Sequence, residues 1–72
     1  MKNYGIYINT SAQFTEKYMQ RVGSCQAKNK AQAIEFVYAA FHGKENDAIV
    51  YPEMVDYVTP SSKSILRAII ED

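Results

Sequence analysis

Apolar and polar positions alternate at the start of the chain. Tyr4, Ile6 and Ile8 fall on one side of Tyr4–Asn9, and Gly5, Tyr7 and Asn9 fall on the other. That two-residue period, with its aromatic and β-branched content, predicts a strand. Thr10 to Ala27 admits two readings. Phe14, Tyr18 and Val22 recur at four-residue spacing, with Thr10 or Ser11 as cap and Gly23 as stop, which suits a helix over residues 11–22. Alternatively, a loop through Phe14 leads into a strand from about Tyr18 to Lys28. In that strand Tyr18, Gln20 and Val22 share one face, while Cys25 and Ala27 have the opposite parity. Gly23 sits at the change of parity, where a bulge would place it. The hairpin is preferred because a first strand needs a partner and the nearest in sequence is the most accessible. The helix stands as its alternative.

Asn29 has the character of an N-cap, and Ala33, Ile34, Val37, Ala40 and Phe41 then form one helical stripe. Gly43 stands where a left-handed residue would close that helix. Phe36, Tyr38 and Ala39 lie off the stripe, so the helix is apolar beyond a single face. After a charged turn at Lys44–Asp47, Ala48–Tyr51 reads as a buried strand interrupted at Pro52, and Met54–Val58 resumes an extended pattern. Thr59 and Pro60 suit the cap and first position of a last helix, with Ile65, Leu66 and Ile69 as its stripe and Ile70 beside it. Glu71 and Asp72 would fray its end against the helix dipole. The expected architecture is a single α+β domain over residues 1–72. It has two layers, an antiparallel sheet with helices on one face, in the order ββαβα.

Composition narrows the class. The 72 residues carry eight Lys+Arg and eight Asp+Glu, and 47% are hydrophobic. This describes a folded domain rather than a disordered chain. The longest uninterrupted apolar run, Phe36–Phe41, is far short of the roughly 20 residues a membrane span needs. One cysteine permits no internal disulfide, which suits a reducing cytoplasm. So small a domain, with no staple, depends on apolar packing alone, and a homo-oligomer such as a dimer is expected to complete it.

The search for chemistry is mostly negative. His42 and Cys25 are single representatives of their kinds, so no Cys/His metal cluster exists. Cys25, His42 and an acid such as Asp47 contain the elements of a nucleophilic site. Their predicted places, a strand and a helix end, instead suit a buried thiol and a histidine facing the last helical carbonyls. Gly5, Gly23 and Gly43 are too scattered for a phosphate cradle. No catalytic residue, metal or cofactor is expected, and the protein is read as non-enzymatic.

Two surfaces remain. Six of the 72 residues are tyrosine and none is tryptophan. Tyrosine gives large contact area at low entropy cost, so Tyr7, Phe36 and Tyr38 are the candidate anchors of a protein-docking patch. Lys17, Arg21, Lys28 and Lys30, with Tyr18 among them, are the candidates for a nucleic-acid interface. The absence of a net positive charge weighs against that alternative. In size and layout the chain resembles the short, neutral or acidic single-domain proteins of phages and mobile elements, some of which inhibit host defence proteins by occupying a surface. The likeness implies an inhibitor that acts by docking on a protein. It carries over no functional residue.

Overall fold

In the computed structural model, which describes residues 1–9, 19–51 and 63–71, the first two elements form an antiparallel pair. These are β1 (Lys2–Asn9) and β2 (Met19–Ala27). The helix α1 (Lys30–Phe41), the short strand β3 (Ile49–Val50), a 3-10 turn (Lys63–Ile65) and β4 (Leu66–Ile70) follow. The four strands make one antiparallel sheet in the order β3-β2-β1-β4, and α1 packs on one face of it. The α+β class with an antiparallel sheet is as expected.

The hairpin reading holds over Met19–Ala27, which is a strand and not the end of a helix. Its partnering shows why the parity changes. Ile6 lies opposite Gly23 but Tyr7 lies opposite Arg21, so Val22 is the extra residue of a bulge. The bulge lets Val22 and then Cys25 and Ala27 all turn into the core from one strand. Gly23 at this point is required by close approach. A β-carbon there would stand 2.6 Å from the Ile49 carbonyl oxygen and 3.2 Å from Val37 Cγ1.

Both ends of α1 are closed by the expected residues. The Asn29 side chain accepts from the Gln32 backbone N–H at 2.8 Å, and the Gln32 side chain in return accepts from the Lys28 N–H at 2.7 Å. At the other end Gly43 has φ 82°, and the N–H groups of Gly43 and Lys44 donate to the carbonyls of Ala40 and Ala39. This is a Schellman closure. Ala33, Val37 and Phe41 are the stripe residues fully turned into the core, where they meet Tyr4, Ile6, Val22, Cys25, Ala27, Leu66 and Ala68.

The last element corrects the sequence reading. Leu66–Ile70 is a strand, not a helix, and it pairs with β1 from Tyr4↔Ile70 to Ile8↔Leu66. Ile65, Leu66, Ile69 and Ile70 satisfy a helical stripe, but Leu66-Arg67-Ala68-Ile69 satisfies alternation equally well. The vacant edge of β1 decides between them, because pairing there buries Leu66 and Ala68 under α1. Residues so few form a weak helix alone, whereas the ladder satisfies the β1 groups on that side and one edge of the new strand. The extended segment Met54–Val58 and the cap at Thr59–Pro60 lie outside the described residues.

Replacing Gly23 by alanine should lower stability by about 1–3 kcal/mol, because a backbone carbonyl must move to admit the methyl group. A urea titration checks this: the midpoint falls with the slope unchanged. An unaltered midpoint would mean that β3 is not held against β2 as described.

Candidate functional site

The face of the sheet turned away from α1 carries the most organised set of polar side chains. β1 alternates, so Tyr4 and Ile6 enter the core while Asn3, Gly5 and Tyr7 face outward. Register then places Arg21 and Ser24 of β2, Ile49 of β3 and Arg67 and Ile69 of β4 on that outer face. Tyr51, just past β3, is kept in line by its N–H, which donates to the Val22 carbonyl at 3.1 Å.

Glu71 follows β4, and its N–H donates to the Asn3 carbonyl at 2.8 Å, so the ladder sets its position. Its carboxylate reaches across β1 to β2. Arg21 donates to it twice, from Nε to Oε2 at 3.0 Å and from Nη2 to Oε1 at 2.6 Å. The Tyr7 hydroxyl donates to Oε2 at 2.8 Å. Arg21 Nη1 also donates to the Tyr51 hydroxyl, and its guanidinium lies 5.7 Å from the centroid of the Tyr51 ring. One network thus joins all four strands. Gly5 makes the crossing possible, because a β-carbon there would overlap the Glu71 carboxylate.

The electrostatics agree with the geometry. The Arg21 hydrogen bonds hold the Glu71 carboxyl below the usual carboxylate range. The same bonds raise Arg21 further, so both charges are fixed at neutral pH. Tyr7 is raised, first because its hydroxyl must donate to Glu71 and then by partial burial. Beside this network, Asn3, Ser24, Gln26, Asp47 and Ile49 line a shallow depression of about 280 Å³ together with Arg21 and Glu71.

The three aromatic candidates are not gathered into one patch. Tyr7 is part of the outer-face network. Phe36 is half-buried against the core and lines a second depression of about 420 Å³ with Met1 and Ala48, which adjoins the first at Gln26 and Asp47. Tyr38 lies beside His42, ring centroids 4.5 Å apart, with Lys63 Nζ 5.6 Å from its ring. Of the basic candidates, Lys17 and Tyr18 lie outside the described residues. Arg21 is engaged by Glu71 and Tyr51, and Lys28, just past β2, and Lys30, at the start of α1, are exposed beyond the far end of that strand, roughly 20 Å from Arg21. Cys25 is buried, its thiol donating to the Ala33 carbonyl at 3.5 Å, and burial pushes its pKa up. His42 caps the other end of α1, about 13 Å of helical rise beyond Ala33. The geometry therefore does not assemble a nucleophile and base from these two. Among the described residues no group of three or more His, Cys, Asp or Glu is placed to hold a metal. Among the described residues, too, no helix is long and apolar enough to cross a membrane.

Glu71 and Tyr51 are the functional candidates that sequence reasoning missed. The sequence pattern places Glu71 at a fraying helix end. The alternation Arg67, Ile69, Glu71 is the signal that would have placed it on a strand face beside Tyr7. Comparison with protein-family models, with curated proteins and with solved structures finds no match.

Glu71→Ala should cost about 1 kcal/mol at pH 7, the scale of a partly exposed ion pair. Because the native pKa is depressed, that contribution is present above the unfolded value of about 4.3 and is lost as pH falls through the lower native value. Stability curves of the two proteins should converge in acid. Convergence well above pH 5 would contradict the ion pair. In a second test, Gly5→Ala should displace the carboxylate, so its cost and that of Glu71→Ala should fail to add. Full additivity would show that the carboxylate does not cross over Gly5.

Proposed function

We propose that the protein is a non-enzymatic binding domain that docks on another protein through the β3 side of the sheet face turned away from α1. The observation that carries this reading is Ile49. It is 60% exposed, and it stands on the same face as Tyr51, Arg21 and Tyr7. An exposed isoleucine among ordered tyrosines and an arginine has the composition of a protein-binding hot spot rather than of ordinary surface. The network supports the reading in a second way. Tyr7 and Arg21 are already held by Glu71, and Tyr51 by Arg21, so a partner that meets them loses little further side-chain entropy. Of the aromatic anchors expected from sequence, Tyr7 belongs to this surface, and Phe36 and Tyr38 lie on the helix side. An inhibitor that covers a host protein's surface is one form such a domain takes, as its size and layout suggest.

The test is affinity capture from the native host's lysate with the wild type and with Ile49→Asp in parallel, read by mass spectrometry. A protein retained by the wild type should be lost, by tenfold or more, with Ile49→Asp. It should remain with Lys44→Glu, an exposed change beyond the end of α1. Capture that is insensitive to Ile49→Asp, in a variant whose unfolding midpoint matches the wild type, would overturn this assignment of the surface.

A further inference from the structure

We infer that β4 is a self-pairing edge, through which two copies of the chain join their sheets in antiparallel register about Ile69. This goes beyond the docking reading, since it uses the edge of the sheet and a second copy as occupant.

The backbone phase comes first. Glu71 donates to Asn3, so Asn3–Glu71 is a hydrogen-bonded pair of the β1–β4 ladder. In an antiparallel ladder such pairs alternate, so Gly5–Ile69 and Tyr7–Arg67 are bonded pairs as well. The N–H and C=O groups of Leu66, Ala68 and Ile70 therefore point away from β1. Among the described residues no strand lies on that side, and β4 ends the sheet. The opposite edge differs in kind: β3 is only two residues long and offers little to pair with.

The side chains select the partner. Ile69 and Ile70 are 41% and 46% exposed, on opposite faces of the same edge. An edge with no strand beside it among the described residues, and with two exposed isoleucines, is an invitation to pairing. A second β4 running antiparallel, with Ile69 opposite its own copy, meets each requirement together. Ile69 then packs on Ile69 of the other copy across the outer face. Ile70 covers Ala68 of the other copy on the helix side, and these two are bonded pairs in the correct phase. Arg67 comes opposite Glu71 of the other copy, twice by symmetry. Glu71 can take this additional donor: a carboxylate has about four lone-pair sites, and Arg21 and Tyr7 use three. The surface is thus complementary to itself in shape, backbone phase and charge, which a two-fold interface requires.

Sedimentation velocity over a dilution series tests the pairing. The wild type should show a concentration-dependent shift towards twice the 8.2 kDa of the chain. Ile70→Pro removes an outward N–H, which β1 does not use, and should leave a monomer with native circular dichroism. Ile69→Lys sets like charges against each other at the axis and should weaken association at least tenfold at low salt, with partial recovery as salt rises. Ile69→Cys tests the register. Opposed residues of a non-hydrogen-bonded pair have Cα atoms about 4.5 Å apart, within disulfide range, so mild oxidation should yield a covalent dimer. Ile70→Cys should yield little. A wild type that stays monomeric throughout, a folded Ile70→Pro that still dimerises, or equal cross-linking at 69 and 70 would each overturn the proposal. None of these outcomes bears on capture by the Ile49 surface, so the two readings fail separately.

Discussion

Strand β1 sits between two others, and its side chains divide the molecule into a packed half and a polar half. Tyr4 and Ile6 descend into the core, where Ile6 is fully buried with Val22, Val37 and Leu66. Each such side chain contributes on the order of 1.5–3 kcal/mol by leaving water. Between them Gly5 leaves a gap on the other face, and Tyr7 stands beyond it. A one-residue slip of β1 would exchange these sets and remove both core and network. Register along this strand is therefore the constraint under which the helix, the fourth strand and the outer-face site are all placed.

The two faces differ in what they supply. The helix side holds the fold, since the apolar burial there exceeds anything a half-exposed ion pair returns. The outer side adds little to stability but much to order. Arg21 and Glu71 have side chains 37% and 27% exposed, yet two donors from one guanidinium and one from Tyr7 fix the carboxylate in place. Two glycines permit this arrangement by what they lack. Gly5 admits a side chain across the strand, and Gly23 admits the neighbouring backbone.

How much was legible in the sequence depended on whether a segment satisfied one pattern or two. Tyr4-Gly5-Ile6-Tyr7-Ile8 has a single period, and its two faces were assigned correctly. Asn29 and Gly43 announced the ends of α1 because their side-chain and backbone properties suit those positions and few others. The parity change at Gly23 marks the bulge from the sequence alone. Ile65–Ile70, in contrast, fits both periods, and only the open edge of β1, a tertiary fact, decides for a strand. The misplacement of Glu71 followed from that choice, and with it the network that gathers Tyr7, Arg21 and Tyr51 was hidden. Tyr38 and Phe36 were singled out as off-stripe aromatics, but spacing along one helix does not reveal that they line separate depressions.

The position of the lone thiol has a practical consequence. Cys25 lies beneath the seam between β2 and α1, bonded to Ala33 and with its ionisation suppressed by burial. An alkylating reagent needs the thiolate in contact with solvent. Labelling of the native chain is therefore slowed, and its acceleration as the helix loosens from the sheet is a readout that needs no engineered probe.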